Sequence, residues 1–100
     1  MPRVLEEHRS HIEQAYAVPL RVDRTRAPLY RLVNTSAEEL VGLTFCLLGS
    51  GVMKTSMPQN LAAGEAADVT IRGDDLARRT VLVVRWFRPT HQEYLWRVSF

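Results

Sequence analysis

Thr80-Val81-Leu82-Val83-Val84-Arg85-Trp86-Phe87-Arg88-Pro89-Thr90-His91-Gln92-Glu93-Tyr94-Leu95-Trp96-Arg97-Val98-Ser99-Phe100 is the stretch that decides the fold. Two hydrophobic runs flank a short polar break. In the first, Leu82, Val84 and Trp86 alternate with Val83, Arg85 and Phe87; in the second, Tyr94, Trp96, Val98 and Phe100 alternate with Leu95, Arg97 and Ser99. A period of two in β-branched and aromatic residues marks half-buried antiparallel strands. Residues opposite each other in such a ladder share a face, so the parity of the loop decides which side chains meet. A three-residue loop, Pro89-Thr90-His91, sets Trp86 against Tyr94, Val84 against Trp96 and Leu82 against Val98. Both indoles then point into one dry interior. A two-residue loop would instead put Arg85 beside Trp96 and Arg97 beside Val84. The odd loop is therefore expected, with His91 in the left-handed position that usually takes glycine. Arg85, Phe87, Leu95, Arg97 and Ser99 are left on the opposite, mixed face.

Working back along the chain, the same alternation recurs in shorter pieces. Strands are expected at 20–24, at 29–33 with Tyr30 and Leu32 inward, at 40–48 with Leu43, Phe45 and Leu47 on one face, at 52–55, and at 67–72 with Ala67, Val69 and Ile71 inward. Asn34-Thr35-Ser36 reads as a turn closed by side-chain to backbone hydrogen bonds. Gly49-Ser50-Gly51 reads as a second turn, and 58–64 as a loop in which Leu61 plugs the edge of the core. Gly73-Asp74-Asp75-Leu76 reads as a helical turn crossing between sheets, with Leu76 dipping inward. The first seventeen residues differ. Val4, Leu5, His8, Ile12, Ala15 and Tyr16 recur at spacings of three and four, the stripe of an amphipathic helix that Pro19 ends. The expectation is a helical extension over 1–17 and a β-sandwich over 18–100, with six or seven strands and no second helix to make parallel crossovers.

Leu32-Val33-Asn34-Thr35-Ser36, then Leu40-x-Gly42-Leu43-x-Phe45-x-Leu47-x-Gly49, then Leu61-Ala62-Ala63-Gly64-Glu65 followed by Val69-x-Ile71 form a recognisable series. It resembles bacterial immunoglobulin-like sandwich modules such as the cell-adhesion-related domains. The similarity covers roughly residues 29–72 and is carried by turn signals. The resemblance implies an all-β immunoglobulin-like sandwich that acts as a spacer, adhesion unit or binding appendage. It brings no shared catalytic residues.

Composition narrows the function. One hundred residues are enough for one core without staples. A net charge of +2 gives little non-specific attraction to nucleic acid. Of the 13 basic residues only Lys54 is a lysine, a bias that favours planar, bidentate contacts and also follows from base composition. The lone Cys46 excludes an internal disulfide and suits a reducing compartment. With no apolar run of membrane-spanning length and no charged-then-apolar start, the expected address is cytoplasmic.

No constellation for catalysis stands out. Ser50, Ser56 and Thr90 lack the turn and base that activate a nucleophile. Glu38-Glu39 and Asp74-Asp75 read as solvated turn charges, and Gly49-Ser50-Gly51 lacks the lysine of a phosphate loop. His8 and His11 on the helix, or His91 with Cys46, Met53 and Met57, offer soft or imidazole ligands but no complete set. Cys46 reads as a small buried hydrophobe. Asn34-Thr35-Ser36 also matches a glycosylation acceptor. No cofactor, metal or enzymatic activity is expected. What remains is the outer hairpin face of Arg85, Phe87, Leu95 and Arg97, joined by Arg72 or Arg31, whose composition is that of interface hot spots. The expected function is a non-enzymatic protein–protein interaction or structural module, with a protein partner or a second copy. The alternatives are a ligand or metal binder using loop His and Met residues, and a weak binder of anionic polymers through Arg85 and Arg97. Covering of the same face by the N-terminal helix, with Glu6, Glu7 and Glu13 meeting the arginines, is a further expectation.

Overall fold

The alternation becomes strand pairing in the computed structural model, which describes residues 3–4, 16–55 and 60–100. The strands are β1 (Arg3–Val4), β2 (Leu20–Arg26), β3 (Leu29–Asn34), β4 (Val41–Gly49), β5 (Val52–Thr55), β6 (Ala66–Arg72), β7 (Thr80–Phe87) and β8 (Glu93–Ser99). A four-residue helix, α1 (Leu76–Arg79), leads into β7. The strands form two sheets ordered β1-β8-β7-β4 and β2-β3-β6-β5. Every pairing is antiparallel except that of β1, which runs parallel to β8.

The terminal hairpin has the expected register: Trp86 faces Tyr94, Val84 faces Trp96 and Leu82 faces Val98. The His91 amide donates to the Arg88 carbonyl at 2.8 Å and the Arg88 amide donates to the Gln92 carbonyl at 2.9 Å, so the loop is Pro89-Thr90-His91. His91 sits at φ 71°, the left-handed position that the odd loop requires. Leu82, Val84 and Trp86 are completely buried between the sheets, against Leu32, Val69 and Ile71 among others. The two indoles are not equally dry. Trp86 is fully buried, whereas Trp96 packs on the core but is only half-buried. The cause is position. β7 lies between two long strands, whereas among the described residues β8 is flanked on its far side by Arg3 and Val4 of β1, opposite Tyr94 and Leu95.

The third expected strand carries a device that its alternation hides. Leu40 and Leu43 are both buried although their numbers differ in parity. Between Val41, which pairs with Phe87, and Thr44, which pairs with Arg85, the register shifts by one extra residue. Gly42 occupies this bulge at φ 61°. A left-handed glycine of this kind inserts one residue and returns the following side chains to the opposite parity. Beyond it, Leu43, Phe45 and Leu47 face inward as expected. At the other end Gly49 stands so close to the Arg79 carbonyl that a Cβ would lie 1.8 Å from its oxygen. Only glycine lets that crossing form.

Asn34 closes β3 from inside. It is fully buried, and its side-chain amide donates to the Glu38 carbonyl at 2.8 Å and to the Leu61 carbonyl at 3.0 Å. Its Oδ1 accepts from the Ser36 amide and hydroxyl at 3.0 and 2.7 Å. The expected turn is therefore also a clamp on the loop carrying Leu61, which is itself fully buried and bridged to Leu40. With both amide hydrogens engaged in the interior, Asn34 cannot serve as a glycosylation acceptor in the folded chain. In the same loop the Glu65 carboxylate accepts from the Ala62 amide at 2.7 Å. Leu76, in α1, packs against the core from the crossing helix, as its sequence position suggests.

Two expectations need correction. The helical extension over 1–17 does not hold at Arg3–Val4, which are extended and pair with Tyr94 and Leu95. A local stripe at spacings of three and four competes there with a non-local strand partner, which the stripe cannot reveal. Tyr16 and Ala17 are also non-helical, and the rest of the extension lies outside the described residues. Cys46 is exposed, because inward Phe45 and Leu47 put it on the outer face with Thr44 and Leu48.

Candidate interaction face

The outer face of the β4-β7-β8 sheet is built by register. Arg85 stands opposite Leu95, Phe87 opposite Glu93, and Val83 opposite Arg97. On the other side of β7, Arg85 neighbours Thr44, Val83 neighbours Cys46, and Val81 neighbours Leu48. All four sequence-derived residues, Arg85, Phe87, Leu95 and Arg97, thus lie on one face, where Arg85 and Arg97 are exposed and Phe87 and Leu95 half-buried. Phe87 is partly covered because its ring lies over Gly42, where an added Cβ would come within 3.2 Å of Cδ1.

Electrostatics on this face are set by a residue that the sequence reading passed over. Glu93 forms an ion pair with the Arg85 Nε, and the Arg85 guanidinium lies 5.1 Å from the centre of the Phe87 ring. The Glu93 side chain is 14% exposed, so the pair is partly desolvated at its acidic end. The available signal was parity: Glu93 precedes Leu95 by two, so the alternation that places Leu95 on the outer face places Glu93 there as well. Glu93 plays the part expected of Glu6, Glu7 and Glu13, which lie outside the described residues.

Arg31 and Arg72 do not join this face. They belong to β3 and β6 of the other sheet. There Arg31 makes a two-pronged pair with Asp68, Nε to Oδ1 at 2.9 Å and Nη2 to Oδ2 at 3.4 Å. That hydrogen bonding raises the Arg31 pKa further. Arg21, Asp23, Lys54 and Arg72 share that outward side by alternation. The two outer faces are unlike: one carries mostly charged side chains together with exposed Val52, the other sets Arg85 and Arg97 among apolar side chains.

A second polar cluster lies at one end of the sandwich. Arg88 Nε and Nη2 donate to the two Glu38 oxygens at 3.0 and 2.9 Å, so Glu38 is a structural partner and not a solvated turn charge. The Arg88 guanidinium lies 4.3 Å from the Tyr16 ring centre, and the Trp86 indole nitrogen donates to the Tyr16 hydroxyl at 3.2 Å. Tyr16 also packs on Tyr94, with ring centres 4.5 Å apart. Burial pushes the Tyr16 phenol above its ordinary value, and the hydrogen bond to Glu38 pushes the Arg88 guanidinium still higher. One group is held neutral and the other cationic through the physiological range, which suits anchoring and not proton transfer.

The residues weighed as ligands are dispersed. His91 is exposed at the hairpin tip, Cys46 is on the outer face, and Met53 packs against the core from β5 in the other sheet. His8, His11 and Met57 lie outside the described residues. Among the described residues no group of three or more His, Cys, Asp or Glu side chains is placed to hold a metal ion. No described helix is long and apolar enough to cross a membrane. The chain matches no protein-family model, and no curated protein matches it.

Proposed function

We propose that the chain is a non-enzymatic, immunoglobulin-like binding module that recognises a protein partner through the outer face of the β7–β8 hairpin. The observation that carries this reading is the asymmetry of the two outer faces. Arg85 lies at the centre of this face, surrounded by Phe87, Val83, Leu95 and Thr44, with Arg97 and the exposed Cys46 and Leu48 further out. Aromatic and arginine anchors set among apolar side chains are what protein interfaces concentrate. The opposite sheet presents a predominantly charged face, with the Arg31–Asp68 pair beside Arg21, Asp23, Lys54 and Arg72.

The immunoglobulin-like part of the reading is supported by strand order. β2-β3-β6-β5 opposite β4-β7-β8 matches the A-B-E-D and C-F-G sheets of the seven-strand constant-type arrangement. The exposed, unpaired Cys46 thiol fits the reducing, cytoplasmic setting proposed for the module. Binding of anionic polymers is the weaker alternative. Arg85 is engaged by Glu93, so this face presents less unpaired positive charge than its two arginines suggest.

The test is affinity capture from the native cell with wild-type chain, with Arg97→Ala and with Arg85→Glu/Arg97→Glu as bait. A partner retained by the wild type and by Arg97→Ala at reduced level, and lost by the double variant while its circular dichroism spectrum stays that of a folded chain, is expected. Identical captures by every bait would remove the assignment to this face.

A further inference from the structure

A β-sheet ends in a strand whose outer backbone donors and acceptors need a partner, and soluble proteins blunt such edges with charge, proline, bulges, brevity or a covering segment. Three of the four edges here are treated in that way. β2 carries Arg21, Asp23, Arg24 and Arg26 and a register irregularity between Asp23 and Arg26. β5 is four residues long and carries Lys54. β8 has β1 alongside it at Tyr94 and Leu95.

β4 is different. Its nine residues, Val-Gly-Leu-Thr-Phe-Cys-Leu-Leu-Gly, contain no charge and no proline. Its bulge is confined to the start of the strand, where the Leu40–Leu61 bridge and the Asn60 side chain, which accepts from the Gly42 amide at 3.1 Å, give cover. Along Thr44 to Leu48 no described segment pairs with the side away from β7. The core is also open on this side. Phe45 and Leu47 face inward yet are only half-buried, while Leu82 and Val84 beside them on β7 are fully buried. Leu48, on the outer side, is 43% exposed.

We propose that the β4 edge pairs antiparallel with the β4 edge of a second copy of this chain, joining two sheets into one. The occupant follows from charge. A strand without ionisable groups meets its own copy with no like-charge contact, whereas β2 could not. The register follows from geometry. Gly42 ends the regular strand on one side, left-handed Gly49 ends it on the other, and residues opposite each other must share a face. The pairing that satisfies all three conditions is centred on Cys46, with Thr44 opposite Leu48 and Phe45 opposite Leu47 of the other copy. Phe45 and Leu47 gain cover on the inner side, and Leu48 on the outer. This interface uses the edge backbone of β4 and shares Cys46 and Leu48 with the rim of the hairpin face, whereas Arg97 on β8 lies two strands away and separates the two readings.

Sedimentation equilibrium tests it, because Thr44 and Cys46 are exposed and tolerate substitution. The wild-type chain is expected to be dimeric at about 100 μM, and Thr44→Lys/Cys46→Lys to weaken dimerisation at least about tenfold with an unchanged circular dichroism spectrum. Arg97→Glu keeps the dimer. Diamide oxidation of the wild-type dimer is expected to cross-link Cys46 to Cys46 of the other copy, since directly opposed residues bring their Cα atoms within disulfide range. A wild-type chain monomeric at about 1 mM, a dimer unaffected by the two lysines, or a dimer that diamide does not cross-link would each overturn the proposal.

Discussion

Asn34 shows how one side chain can hold several loops at once. Its four side-chain hydrogen bonds tie together the ends of β3, the Glu38 turn and the Leu61 loop without any exposure to water. Asn34→Ala removes one of the two donors from each of the Glu38 and Leu61 carbonyls and the acceptor that holds Ser36, and a loss of about 1–3 kcal/mol is expected from urea unfolding midpoints. Tyr16 has a narrower role. Tyr16→Phe keeps the ring under Arg88 but removes the acceptor for the Trp86 indole, with an expected cost of about 1–2 kcal/mol. Because burial raises the Tyr16 pKa, its contribution is complete below the ordinary phenol value of 10.0 and is lost as the pH rises through the raised one. Unfolding midpoints followed above pH 10.0 should therefore fall more steeply for the wild type than for the variant. The Asn34 turn was legible because Asn-Thr-Ser carries its own hydrogen-bonding chemistry. The Glu38–Arg88 pair was not: fifty residues separate its members, and adjacent glutamates look solvated until a distant guanidinium arrives.

At the scale of elements, alternation decided most of the outcome. β7 and β8 were readable to the register, since only one loop parity kept six apolar side chains together. The loop itself followed, down to the left-handed His91. That conformation costs a residue with a Cβ, so His91→Gly should raise stability by about 0.5–1 kcal/mol in thermal unfolding, without altering the register. β4 was readable in its second half and hidden in its first, because a bulge reverses parity and leaves only a glycine as its trace. Gly42→Ala should cost about 1–2 kcal/mol from the strained backbone and displace the Phe87 ring, which a perturbed Phe87 resonance set would report. The N-terminal segment was misread at Arg3–Val4 for the converse reason. Its pattern is local, whereas its partner on β8 lies at the other end of the chain, Arg3 against Tyr94, and writes nothing into the spacing.

For the whole molecule, the division into a dry interior and two unlike outer faces matters most. The four proposed contact residues came from face parity alone, and parity also places Glu93 among them; what sequence could not supply was the pairing partner of each arginine. Arg97→Glu alone should leave the melting temperature within a few degrees of wild type while weakening partner capture, whereas Arg85→Glu sets a second carboxylate against the mostly buried Glu93 and is expected to lower it further. Everything assigned to that face rests on how the last hairpin is paired. Nuclear Overhauser contacts across β7 and β8 measure this directly. Cross-strand contacts are expected between Trp86 and Tyr94, Val84 and Trp96, and Arg85 and Leu95. Contacts of Arg85 with Trp96 and of Val84 with Arg97 would mean a register slipped by one, with the arginines turned into the core, and would contradict it.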